Sequence, residues 1–251
     1  ARLSWELKRE NAPQPLVTLY DNHLLFWANT DITGGNEIFR EYLGALNELH
    51  ASGAILAGYL DSPFRSRVIL RLLYLLSLAD EDDIYDKQKI VAAGGDLEGL
   101  RDIQLLDAVL KPGQRTAVMV QNSPRNLSYK QYGESYEIAF FYVKVFNSFQ
   151  TAVARVDVPM WVARNTEAID LLHGLLLNQC QMQGRTPYPY ALTRADELAL
   201  VSSRDKRKLD ELVTIELRRR GLAPKPSSAK DQSKQAARSD KRPHEIRSDL
   251  R

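Results

Sequence analysis

The chain has a single cysteine, Cys180, so no internal disulfide can form and no thiolate metal site can be assembled. That fits a reducing compartment, and Cys180 itself reads as a buried helical hydrophobe. No stretch reaches the roughly 18 apolar residues of a membrane span, and no signal-peptide pattern opens the chain. A cytoplasmic protein is expected. There is no glycine-rich P-loop, which excludes ATP hydrolysis by this chain itself, and the spacing of His23, His50, His173 and His244 gives no zinc signature. No internal repeat is visible. Charge of one sign is also lacking, since 34 Lys and Arg against 32 Asp and Glu give +2. The balance is uneven, because residues 221–251 hold eight basic and four acidic residues, leaving −2 for residues 1–220. Any nucleic-acid footprint on the folded part is therefore a local patch rather than a net field.

What the chain does have is ample apolar material: 44% of 251 residues, enough for one large domain or two small ones. Its most informative stretch, Phe140–Ala163, is rich in β-branched and aromatic residues, turns at Asn147-Ser148 and stops at Pro159. Strands are expected at 134–146 and 151–158, preceded by one at 115–121 and a polar connection at 122–133. Period-two alternation puts Arg155 and Asp157 on one face of the second strand, where an ion pair is the favoured reading.

Upstream, residues 1–11 read as the end of a helix stopped by Pro13 and Pro15. Two strand arms, 16–20 and 24–27, then flank Asp21-Asn22-His23, whose first two residues favour tight turns. Residues 37–52 form an amphipathic helix capped by Gly53, followed by a strand at 54–60. That order favours a parallel pair with a covering helix. Residues 64–78 are apolar on most sides and predict a well-buried helix. A loop over 80–99 and a short helix over 101–110 follow, and the last third predicts helices at 166–180, 190–202 and 204–220. From Gly221 onward Pro, Ser, Lys and Gln replace apolar residues, so 221–251 is expected to be a disordered charged tail.

Phosphodiester hydrolysis with two metals needs carboxylates converging from separate elements, because hard divalent cations prefer oxygen donors. Glu6 lies on or beside the apolar side of the first helix, and Asp21 ends the strand LVTLY fifteen residues later. Taken alone, Glu6 reads as a surface helix residue, Asp21 as a turn former and Tyr188 as a packing aromatic. His23, two residues past Asp21, is placed to support such a ligand. Near the far end come Tyr188-Pro189 and then Ala195-Asp196-Glu197 on a helix. After the strand GYL, Asp61-Ser62-Pro63-Phe64-Arg65-Ser66-Arg67 sets two arginines at a helix start, a natural phosphate seat.

With these motifs, residues 1–202 resemble the NurA family of metal-dependent DNA nucleases. The resemblance implies an α/β fold with a mixed central sheet of ribonuclease-H-like type, flanked by helices. It implies Glu6, Asp21 and Asp196 as ligands of Mn²⁺ or Mg²⁺, Tyr188 as a catalytic hydroxyl, and Arg65 and Arg67 on the DNA backbone. It also implies a homodimer working with a HerA-type hexameric ATPase in resection of double-strand break ends. Two departures stand out. Asp196 occupies a position where the family usually has histidine, which adds negative charge and removes an imidazole proton donor. No Asp-Gly pair occurs in the 251 residues, although the family opens its first strand with an Asp-Gly-Ser-like ligand motif. As the chain begins at Ala1 in what reads as mid-helix, that strand is expected upstream. The alternatives are a degenerate scaffold on the same fold and a nucleic-acid-binding module without cleavage.

Overall fold

The structure, a computed structural model, describes residues 6–7, 10, 15–25, 35–63, 66–78, 97–199 and 203–222. Two compact units divide the chain at 198/199. In the first, strands β1 (Val17–Tyr20), β2 (Ile55–Leu60), β3 (Met119–Val120), β4 (Ile138–Phe146) and β5 (Thr151–Pro159) form one sheet in the order β1-β2-β5-β4-β3. The expected parallel pair is present: β1 runs parallel to β2, with Val17 opposite Ile55, while the other pairings are antiparallel. Helix α1 (Gly35–Ser52) makes the crossover, and Gly53 ends it at φ 71°, a conformation that suits glycine at a helix terminus.

Central strands β4 and β5 are buried along nearly their whole length, which explains why their sequences read as continuous apolar runs rather than alternating ones. Phe141, Val143, Val156, Val158, Ala57 and Tyr59 face helix α6 (Thr166–Gln181) through Ile169, Leu172, Leu176 and Cys180. On the opposite face, Leu56 and Ile138 pack with Leu43, Leu46 and Leu49 of α1, while Phe140, Tyr142 and Val153 pack with Leu106 of α3 (Asp102–Val109). The result is a mixed α/β architecture with helices on both sheet faces. Each fully buried Leu, Val or Phe contributes about 1.5–3 kcal/mol, so this double-sided core dominates the stability.

Several expectations need correction. Leu24 and Leu25 are not a strand arm: β1 pairs with β2, and Leu24 spends its backbone groups on side chains. Its N–H donates to Asp157, and its carbonyl accepts from the hydroxyls of Tyr42 (2.6 Å) and Tyr129 (3.4 Å). The polar connection at 122–133 contains helix α4 (Pro124–Lys130), which Ser123 caps by accepting from Asn126 N with Pro124 as first residue. Asn126 then binds both backbone groups of Ile138, at 2.8 Å each, and so ties α4 to β4. The expected strand 115–121 shrinks to β3 plus a single bridge at Arg115, because Thr116 turns its hydroxyl onto Tyr142 N. Residues 134–136 form a 3₁₀ turn ahead of β4.

Helix α2 (Val68–Leu78) starts four residues later than expected and is not well buried. Leu70 points inward, whereas Leu72, Leu73 and Leu76 are exposed. The short helix α5 (Met160–Ala163) continues directly from β5, and α7 (Tyr190–Ala199) follows α6. In the second unit, α8 (Ser203–Arg219) is amphipathic and exposes Leu209, Leu212 and Ile215. The tail expected over 221–251 lies outside the described residues beyond 222, as do residues 80–96 of the expected loop. Among the described residues no helix is long and apolar enough to cross a membrane.

Candidate active site

Because β1 and β2 are parallel, their carboxyl ends open at one rim of the sheet, and Asp21 and Asp61 are the residues that follow them. Sheet enzymes place reactive groups at such rims because the loops there are free of ladder constraints. Tyr188 reaches the same rim from the segment between α6 and α7, its ring edge-on to Tyr59 of β2 at 5.6 Å. Gln179 fixes that segment by accepting from Ala191 N. Burial pushes the Tyr188 phenol well above its usual pKa, a hydrogen bond to Asp21 adds to the rise, and the negative fields of Asp21, Asp196 and Asp61 push the same way. The phenol therefore keeps its proton through the neutral range and donates it toward a carboxylate.

Of the residues expected from sequence, Asp21 bonds the Tyr188 hydroxyl, while Asp196 acts on it only through its field. Asp61, at the end of β2, adds a weaker field of the same sign. Glu6 is exposed in the described helical pair 6–7, and its carbonyl accepts from Glu10 N at 3.0 Å. Arg65 lies outside the described residues. Among the described residues no three His, Cys, Asp or Glu side chains stand close enough together to hold a metal ion.

On the other face of the rim, just past Asp61, is a cleft of about 830 Å³. Among the described residues, four arginines line it, Arg67, Arg71, Arg125 and Arg155, together with His23, and no acidic residue does. Arg155 is fixed from three sides of its environment: its Nε donates to Asp157 Oδ1 at 2.8 Å, its guanidinium lies 4.0 Å over the Phe140 ring, and its side chain is 5% exposed. The expected ion pair is present. His23 Nδ1 donates to the other oxygen of Asp157 at 3.0 Å. Burial raises the Asp157 pKa, but the bonds from His23 and Arg155 outweigh it and hold the carboxyl below its usual range.

The helix start itself is not the phosphate seat that its sequence suggested. Buried Asp102 fills it, accepting from Val68 N at 2.8 Å and Leu70 N at 3.0 Å, and from the hydroxyls of Ser66 and Tyr142. The negative end that the helix dipole favours is supplied from α3. Arg67 remains a cleft residue, its Nη2 on the Leu97 carbonyl at 2.8 Å and its buried Nε without a hydrogen-bond partner among the described residues.

The NurA domain pattern matches residues 5–201. The chain belongs to the NurA family. No curated protein and no solved structure matches it. Its NurA domain places it among nucleases in general. Sequence reading missed Arg71, Arg125 and Arg155 as cleft residues. The four-residue spacing of Arg67 and Arg71 was a usable signal, since it sets both on one side of a helix.

Proposed function

We propose that this NurA protein is a metal-dependent deoxyribonuclease. The observation that supports it most is the match of the NurA domain to residues 5–201, in a fold that sets Asp21 and Asp61 at the open end of the parallel pair. The donor chemistry there is all oxygen, which suits Mn²⁺ or Mg²⁺. Glu6, Asp21 and Asp196 are the proposed ligands. Acidifying a water and neutralising the leaving oxygen is the chemistry a bound divalent ion contributes. Tyr188 holds its proton and offers it to a phosphate oxygen, while the arginines of the adjoining cleft orient the strand. On this reading the sheet is of ribonuclease-H-like type, and a HerA-type ATPase supplies the motor in end resection, with the protein as a homodimer in the cytoplasm.

The test is cleavage of single- and double-stranded DNA in Mn²⁺ against EDTA, with Asp21→Asn and Asp196→Asn variants. Metal-dependent cleavage lost in both variants is the expected result. Cleavage that persists in both overturns the assigned roles, and DNA binding with no cleavage in any metal would point to a non-catalytic scaffold.

A further inference from the structure

Among the described residues, the cleft carries more positive charge than its neighbours neutralise. Arg155 and Asp157 form a closed, buried pair, so the excess lies elsewhere. Among the described residues, Arg67 and Arg71 make no ion pair with a carboxylate, and none of those lining the cleft is acidic. Arg67 and Arg71 thus bring a charge of about two beside the anchored guanidinium, and Arg125 adds a further cation to the wall. Arg155 is 4% exposed and still borders the cleft, and the buried Nε of Arg67 has no acceptor among the described residues. Keeping such donors without partners costs free energy that an anion would return.

A backbone diester brings one negative charge, whereas a phosphomonoester brings about 1.5–2 at neutral pH and three acceptor oxygens. The second comes nearer to what Arg67, Arg71 and Arg125 together offer. Leu25, Leu60 and Pro63 add an apolar wall beside the cations, suited to a sugar or base rather than a bare ion. A volume of about 830 Å³ is in the range of sites for ligands of nucleotide size. We infer that this cleft seats the phosphorylated terminus of a nucleic-acid strand, the monoester between Arg67, Arg71 and Arg155 and the terminal nucleotide against Leu60. The inference rests on the nuclease reading for the identity of the strand.

Binding of the full chain to fluorescent oligonucleotides in EDTA tests it, comparing 5′-phosphorylated, 3′-phosphorylated and unphosphorylated strands labelled at the opposite end. One phosphorylated form should bind about tenfold tighter or more at physiological salt. That preference should vanish in Arg71→Gln, an exposed helix position whose folding is checked by thermal melting, and in Arg67→Gln. Equal binding of all three strands overturns the inference, as does a preference unchanged in both variants. A nucleoside monophosphate competing as strongly as the strand would mark a free-nucleotide site and overturn the assignment to a strand end. A terminal-phosphate preference without cleavage in Mn²⁺ leaves the cleft assignment standing and removes the nuclease reading. Cleavage without the preference does the reverse.

Discussion

The carbonyl oxygen of Asn22 passes so close to Gly58 that a Cβ on Gly58 would overlap it and press on Leu24 at about 3.0 Å. This contact lets the segment after β1 cross over β2 and deliver Leu24 N and His23 to Asp157, the residue opposite Gly58 in β5. Gly58→Ala should therefore cost about 1–3 kcal/mol, as overpacking does. It should also loosen His23 from Asp157. Urea unfolding gives the first, and a changed imidazole chemical shift gives the second. A variant as stable as the parent with an unmoved His23 resonance would show that the crossing does not depend on the missing side chain.

Asp102 joins two helices that are separate in sequence, since it stands on α3 and caps α2. Asp102→Ala removes the cap and leaves the hydroxyls of Ser66 and Tyr142 with only each other, with an expected loss of about 2–4 kcal/mol. Asp102→Asn keeps an acceptor oxygen and should recover part of it. Because Ser66, Arg67, Val68 and Arg71 of the cleft wall hang on this cap, hydrogen exchange at Leu70 should quicken in Asp102→Ala. Unchanged protection there would mean that α2 is held by its packing alone.

Much of the fold was legible because β4, β5, α1 and α6 combine strong apolar patterning with clear stop signals, at Pro159 and Gly53 for instance. Leu24-Leu25 was misread for a physical reason. Its apolar side chains resemble a strand, yet its backbone bonds go to Tyr42, Tyr129 and Asp157, partners that only the tertiary fold supplies. The Ser123-Pro124 helix start was readable from its cap chemistry but was obscured by the polar composition around it. At the site, Asp21, Tyr188 and Asp196 were named through the family motifs. The grouping of Arg71, Arg125 and Arg155 with Arg67 was hidden because charge convergence depends on which strands are neighbours, and adjacency of β2 with β5 has no signature along the chain.

Two groups link stability to pH with the same sign. His173 Nε2 donates to the Gly113 carbonyl at 3.0 Å; burial lowers its pKa and Arg115 lowers it further, against smaller opposing effects from Gly113 and Asp170. The folded state thus prefers the neutral ring. As pH falls through the unfolded value of about 6.5, the unfolded chain takes up the proton first and stability drops. Asp157 has its folded pKa held down, so its contribution is complete above the unfolded carboxyl value of about 4 and is lost as pH falls through the lower folded value. Urea midpoints should decline from pH 7.5 to 5.5, and His173→Gln should flatten that decline. A slope unaffected by the substitution would assign it to another group.

Tyr188→Phe separates packing from chemistry at the carboxylate rim. The ring keeps its edge contact with Tyr59, so only the hydroxyl and its bond toward Asp21 are lost. Removing a partly exposed hydrogen bond costs about 1 kcal/mol of stability or less. If the same hydroxyl donates to the phosphate as negative charge builds on it, the cleavage rate should fall by roughly 10²-fold, the usual cost of deleting one preorganised donor. DNA affinity in EDTA should stay within about twofold, because the cleft arginines are untouched. Melting temperature, single-turnover cleavage and EDTA binding, measured on one preparation, distinguish the cases. A rate near the parent's would reduce Tyr188 to a packing residue, and a large loss of stability would show that its bond toward Asp21 holds the rim together rather than serving the reaction.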